Sequence, residues 1–109
     1  MPLSEVIKRQ RAKRLALRKE ALKEAKRLNL LLRERFEFED IYIFGSVLTN
    51  RFSFKSDIDL AIKGLKTEDF FKAHAFLIRE CGFAIDLKPF EDMTIELQKT
   101  VLLKGDRLG

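Results

Sequence analysis

Over residues 4–35, apolar positions recur at Leu15, Leu22, Ala25, Leu28 and Leu32, three, four or seven residues apart. That is the repeat of a helix, and it predicts a narrow apolar stripe turned toward the rest of the domain. Neither Gly nor Pro interrupts the segment, which is dominated by Ala, Leu, Lys, Arg and Glu, so one long helix is expected with Ser4 as its cap. Residues 8–14 are nearly all basic and are expected to project or fray. The heptad run is too short for a coiled coil.

Beyond Asp40 the period changes. Ile41-Tyr42-Ile43-Phe44 is a short β-branched and aromatic run ended by Gly45, which predicts a buried strand entering a tight turn, with a short helix over residues 47–50. Residues 57–62 alternate with period two and stop at Lys63-Gly64, the pattern of a second strand. Residues 67–80 predict a helix whose wide apolar face carries Phe70, Phe71, Ala73, His74, Phe76, Leu77 and Ile78, with Gly82 ending it. A third strand follows over residues 83–88, closed by Pro89, and a final amphipathic helix over residues 93–103. The expected architecture is α/β (α+β): a small mixed sheet of about three strands covered by helices, with a long N-terminal helix. Residues 1–40 form a basic helix packed on a core of residues 41–109, a single domain overall, as a length of 109 residues allows.

Composition narrows the class. Hydrophobic residues make up 46% and charged ones 36%, with ten Phe and two Pro, which excludes a disordered chain. One cysteine, Cys81, excludes an internal disulfide and a Cys-rich zinc site. No apolar run is long enough to span a bilayer and the N-terminus does not resemble a secretion signal, so a cytoplasmic protein without membrane contact is expected. The net charge of +5 lies entirely in residues 1–40, where 12 Lys/Arg face 7 Asp/Glu; residues 41–109 hold 10 of each. Such a segment attracts nucleic acid, an acidic partner or a triphosphate, or is simply a solvated helix surface.

Candidate chemistry lies on the strands. Side chains alternate across a strand, so Asp57 and Asp59 share one face while Ile58 and Leu60 share the other. Asp86 is likewise a lone acid between Ile85 and Leu87, and if the two strands are neighbours in register, three carboxylates converge. Hard oxygen donors of that kind suit Mg²⁺ or Mn²⁺ rather than zinc. A D-x-D at a strand end is by itself commonly a cap or a surface pair. Gly45-Ser46, directly after a strand and ten residues before Asp57, adds a turn where backbone approaches phosphate closely and a hydroxyl donates to it.

Gly45-Ser46, ten intervening residues, Asp57-Ile58-Asp59-Leu60 and a later Asp86 together resemble the G-S-x-D-x-D signature of the polymerase β-like nucleotidyltransferase superfamily, and the short length resembles its minimal (MNT) branch. The resemblance covers about residues 41–103. It implies a nucleotidyltransferase fold and a metal-dependent enzyme. A two-ion mechanism would have Asp57, Asp59 and Asp86 as catalytic groups and Mg²⁺ ligands, with Mn²⁺ a possible substitute. Gly45 and Ser46 would bind the phosphates of a nucleoside triphosphate, with ATP the expected donor and a protein or small-molecule hydroxyl the acceptor. The loop departs from the Ala-Arg-Gly-like continuation of many minimal members, reading Val47-Leu48-Thr49-Asn50-Arg51, and Arg51 or Lys55 is the candidate for the missing positive charge.

Minimal members are often paired with a helical HEPN protein as the antitoxin half of a pair, so a HEPN-domain partner is implied, and a homo-oligomer is the other expected association. Two alternatives remain open. One is a partner-binding antitoxin module with the same fold and no catalysis. The other is nucleic-acid binding through the basic helix, which lacks aromatic or Gly interleaving, so nucleic acid is not expected as the main partner. His74 and Cys81 read as packing residues, as do Phe44, Phe70, Phe76, Phe83 and Phe90. For Phe52 and Phe54, packing is favoured over base stacking or a partner contact.

Overall fold

The computed structural model describes residues 2–49, 51–53 and 55–109. Helix α1 spans Leu3–Arg35, some 50 Å at 1.5 Å per residue. It begins two residues earlier than a Ser4 cap would place it, with Pro2 in extended conformation at the cap and no side-chain capping bond, so Ser4 lies inside the helix. Its buried residues are Ala21, Ala25, Leu28, Asn29 and Leu32. Leu15 is half exposed, and the stripe therefore starts two turns later than the periodicity predicts. The face is there, but the domain beneath it thins out near Leu17 and Arg18, the last residues of that half to touch it, and the basic first turns of α1 run on past that edge.

Four strands are described: β1 (Asp40–Phe44), β2 (Ile58–Lys63), β3 (Ile85–Pro89) and β4 (Asp106–Arg107). They lie in the order β3-β2-β1-β4, with β1 antiparallel to both β2 and β4 and β2 parallel to β3. The parallel pair requires a crossover, which α2 (Phe70–Glu80) supplies after a 3₁₀ turn over Thr67–Asp69. Sequence pattern predicts three strands; β4 is the addition. It has only two residues, both exposed, and so lacks any periodicity to betray it. It is held by Leu108 N–H donating to Ile41 O and by buried Asn29 of α1, whose Nδ2 donates to Leu108 O at 3.3 Å.

Alternation along the strands divides the sheet into two faces. Ile41, Ile43, Ile58, Leu60, Ile62, Ile85 and Leu87 join α1 and α2 residues in the main core. Ala61 on the other face meets Phe90 and Val101, the latter from α3 (Ile95–Lys104), with Tyr42, Phe44, Met93 and Leu97 around them. Helix α2 buries only Ala73, Phe76 and Leu77, whereas Phe71 and Ile78 are exposed, so its apolar face is narrower than expected. Helix α3 starts at Ile95, where the Thr94 hydroxyl accepts from Leu97 N–H, later than position 93 because Phe90–Asp92 forms a 3₁₀ turn. No described helix is long and apolar enough to cross a membrane.

Candidate active site

β1 and β2 run in opposite directions, so the end of one meets the start of the other: Phe44 pairs with Asp59. β2 and β3 run together, and Asp59 pairs with Asp86. Phe44, Asp59 and Asp86 thus form one row across three strands, on the face opposite the main core. Ile58 N–H donates to Ala84 O at 2.8 Å and locks the β2–β3 register at this end. Asp57 lies one residue before β2 rather than inside it, and is exposed.

The turn expected after the first strand sits beside this row. It is a single 3₁₀ turn over Gly45–Leu48, not a helix over residues 47–50, and Asn50 lies outside the described residues. Thr49 closes it, its N–H and its hydroxyl both donating to Ser46 O. Gly45 has φ +81, the left-handed region that favours glycine, and a Cβ placed there would run into Asp59 Oδ2. The glycine therefore serves two purposes, turning the chain and leaving space for the Asp59 carboxylate. Gly45→Ala is expected to cost about 1–2 kcal/mol of backbone strain and to disturb Asp59 as well. Gly64→Ala, at φ +80 against Glu39, is the matched control. Urea unfolding should show similar losses in both variants, while a nucleotidyl-transfer assay should fall much further in Gly45→Ala.

Electrostatics mark the same spot. Burial pushes the Asp59 carboxyl above its ordinary pKa; Lys88 opposes the rise, and Asp86 and Asp57 add to it. Lys88 stands two residues after Asp86, on the same face of β3, and its Nζ donates to Asp86 Oδ2 at 2.6 Å. Its own pKa is raised first by that hydrogen bond, while its partial burial lowers it and the charges of Asp86, Asp59 and Asp57 raise it further. Lys88 lies outside the G-S-x-D-x-D pattern, and its legible signal is the D-x-K spacing, which on an alternating strand makes a same-face ion pair. The same Nζ lies 5.9 Å from the Phe44 ring centroid, next to the Gly45 turn.

The remaining candidates fall outside this cluster. Arg51 is exposed in the loop, its N–H bound to Thr49 Oγ1. His74 is half-buried, with Nε2 3.4 Å from Ile85 O, and burial pushes the Cys81 thiol up; neither faces the acids' row. Phe52 is fully buried against Phe83, as packing predicts, while Phe54 lies outside the described residues. A concavity of about 630 Å³ lined by Ile62, Leu65, Phe70, Phe71 and Pro89, with Glu91 and Asp92 at its polar side, opens at the opposite end of β2 and β3 and includes none of Asp57, Asp59 and Asp86.

Three carboxylates bearing only hard oxygen donors suit a divalent cation in chemistry. As they stand, with Asp86 paired to Lys88, no group of three His, Cys, Asp or Glu side chains among the described residues is drawn together closely enough to hold one.

Comparison with curated proteins and with solved structures returned no match. Among family models, the one described as polymerase beta, nucleotidyltransferase matches residues 26–108. Its span opens in the buried half of α1 and takes in all four strands. With more than half of the chain matched, this protein belongs to the polymerase β nucleotidyltransferase family.

Proposed function

We propose that the chain transfers a nucleoside monophosphate from a nucleoside triphosphate, with ATP the first donor to try, onto a hydroxyl of a protein or small molecule. The observation that carries this reading is the Asp59–Asp86 register beside the glycine turn, which brings acids separated by 27 positions to one row. Asp57, Asp59 and Asp86 would hold divalent metal, Mg²⁺ or Mn²⁺. When bound, such ions neutralise charge on the phosphates and lower the pKa of an attacking hydroxyl. The chain's own share is positional. Gly45 and Ser46 would present backbone and hydroxyl donors where the phosphates would lie, and the β2–β3 register fixes the acids' spacing. The acceptor we favour is a separate chain, and a HEPN-domain protein is the partner that the family resemblance suggests.

The test is transfer of label from α-labelled ATP, and from the other triphosphates, in the presence of Mg²⁺ and a cell lysate. Asp57→Asn and Asp59→Asn serve as controls. Label on a protein or small molecule that disappears in both variants supports the reading. Absence of transfer with every triphosphate, together with partner capture that both variants retain, supports a non-catalytic binding module instead.

A second reading has its own observation. Arg11, Arg14 and Arg18 lie three and four residues apart on one face of α1 and line one shallow concavity with Leu15. Arg18 Nε donates to Val47 O, at 3.0 Å, within the glycine turn. A phosphate backbone laid along that face would lead to the glycine turn. If it does so, a single-stranded oligonucleotide binds with salt-dependent affinity, and Arg11→Gln combined with Arg14→Gln reduces the log–log salt slope by about 1.4, two contacts' worth. Fluorescence anisotropy over a salt series measures this, and a slope near zero in the unaltered chain excludes the arm as a nucleic-acid track.

A further inference from the structure

The cation already standing at the acids is a lysine. Lys88 Nζ lies 2.6 Å from Asp86 Oδ2, and both side chains are only partly buried, at 43% and 39% exposure. Asp86 pairs across the strands with Asp59, so the ammonium stands at the same row of the sheet that carries the acids. It also lies over Phe44, the residue that enters the Gly45 turn. Among the described residues no other salt bridge involves Asp57, Asp59 or Asp86.

We propose that Lys88 is a resident counter-cation that competes with divalent metal for Asp86 and is transferred to the triphosphate when metal and nucleotide arrive together. The inference rests on the reading of the acids as a metal site and adds a residue and an order of events to it. Two like-charged carboxylates in register repel each other, and a single ammonium between strands and turn relieves that repulsion at lower charge density than a divalent ion. For Asp86 to offer its oxygens to metal, the 2.6 Å bond to Lys88 has to open. A lysine carries its charge on four flexible carbons, which lets the ammonium leave Asp86 without movement of the strand. From its place over Phe44 the nearest new anion it would meet is a phosphate at the Gly45-Ser46 turn. No covalent step is involved; one ion pair is exchanged for another.

The experiment is a titration of Mn²⁺ into the full chain, followed by the loss of the free-ion paramagnetic signal, with and without a non-hydrolysable ATP analogue. It compares the unaltered protein with Lys88→Met, Lys88→Gln and Lys88→Arg. Without nucleotide, Lys88→Met and Lys88→Gln should bind Mn²⁺ about tenfold more tightly, because the competing charge has gone, while Lys88→Arg stays close to the unaltered protein. With Mn²⁺ saturating, the two neutral variants should bind the analogue more weakly. A purely structural Lys88–Asp86 pair would instead alter folding stability and leave the Mn²⁺ constant where it was. Equal Mn²⁺ affinity in the unaltered chain and both neutral variants overturns the exchange while leaving the metal reading intact. Weaker Mn²⁺ binding in the neutral variants overturns it too. If no variant binds Mn²⁺ at all, the metal reading and this inference fall together.

Discussion

Asp59→Asn should abolish most nucleotidyl transfer and at the same time make the protein more stable at neutral pH. The loss of transfer, by roughly a hundred- to a thousandfold, is the usual effect of removing a group that stabilises charge in a transition state. The gain in stability follows from the raised pKa. Burial comes first among its causes; Lys88 opposes the shift, and the charges of Asp86 and Asp57 strengthen it. A carboxyl whose folded-state pKa exceeds its unfolded value binds its proton more tightly in the folded chain. Ionising it therefore works against the fold. That penalty is absent below about pH 3.9, the ordinary aspartate value. It grows as pH rises through the ordinary range toward the folded pKa, and is fully present above it. The asparagine variant escapes the penalty, so its Tm at pH 7 should exceed that of the unaltered protein, and the two should converge as the pH is lowered. Thermal melts over a pH series measure this. A lower Tm for Asp59→Asn at pH 7 would mean that its pairing with neighbouring cations outweighs its burial, and would contradict the electrostatics described above. On the proposed reading of the acids as a metal site, saturating Mn²⁺ should reverse the order, stabilising the carboxylate form more than the asparagine variant.

The largest loss of stability is expected from Phe52→Ala. Phe52 is fully buried in the main core, although it sits in the loop between the Gly45 turn and β2 and belongs to no regular element. Its ring meets Phe83 at a centroid distance of 6.2 Å, tilted by 40°, so it ties the loop to the segment leading into β3. Truncating a buried phenylalanine costs about 3–5 kcal/mol through lost transfer energy and the cavity left behind. A domain of this kind holds only about 5–15 kcal/mol in total. Chemical denaturation should show a drop in that range, with a Tm lower by roughly 10–20 °C. Transfer activity should fall even at temperatures where the variant is folded, because the same residue anchors the chain between Ser46 and Asp57. Stability within 1 kcal/mol of the unaltered protein would show that the loop collapses onto its own cavity and that its position does not depend on the ring.

How much of this could be read before folding differs from element to element. Strands β1, β2 and β3 announce themselves, β1 as a β-branched and aromatic run and β2 and β3 as apolar residues alternating with polar ones, with Gly45, Gly64 and Pro89 marking their ends. The G-S-x-D-x-D spacing identifies the family for the same reason that it works chemically. A turn and two same-face acids are local properties of an extended chain. Helix ends are less legible. Ser4 has the chemistry of a cap but not the place, since the helix starts at Leu3, and Leu3 and Ile7 in its first turns stand exposed. Phe71 and Ile78 fit an apolar face, yet they stand exposed, because the sheet and α1 are wide enough to cover only Ala73, Phe76 and Leu77.

The sequence by itself determined the local elements, the basic bias of the first helix, and the residue types suited to metal and phosphate. Tertiary structure alone decided that Asp59 and Asp86 stand opposite each other, that Gly45 leaves room for a carboxylate, and that a two-residue strand extends the sheet. The division has a physical cause. Periodicity and turn chemistry act over a few neighbouring residues, whereas register between β2 and β3 is set by a crossover helix and by burial of whole faces, which no short stretch of chain encodes.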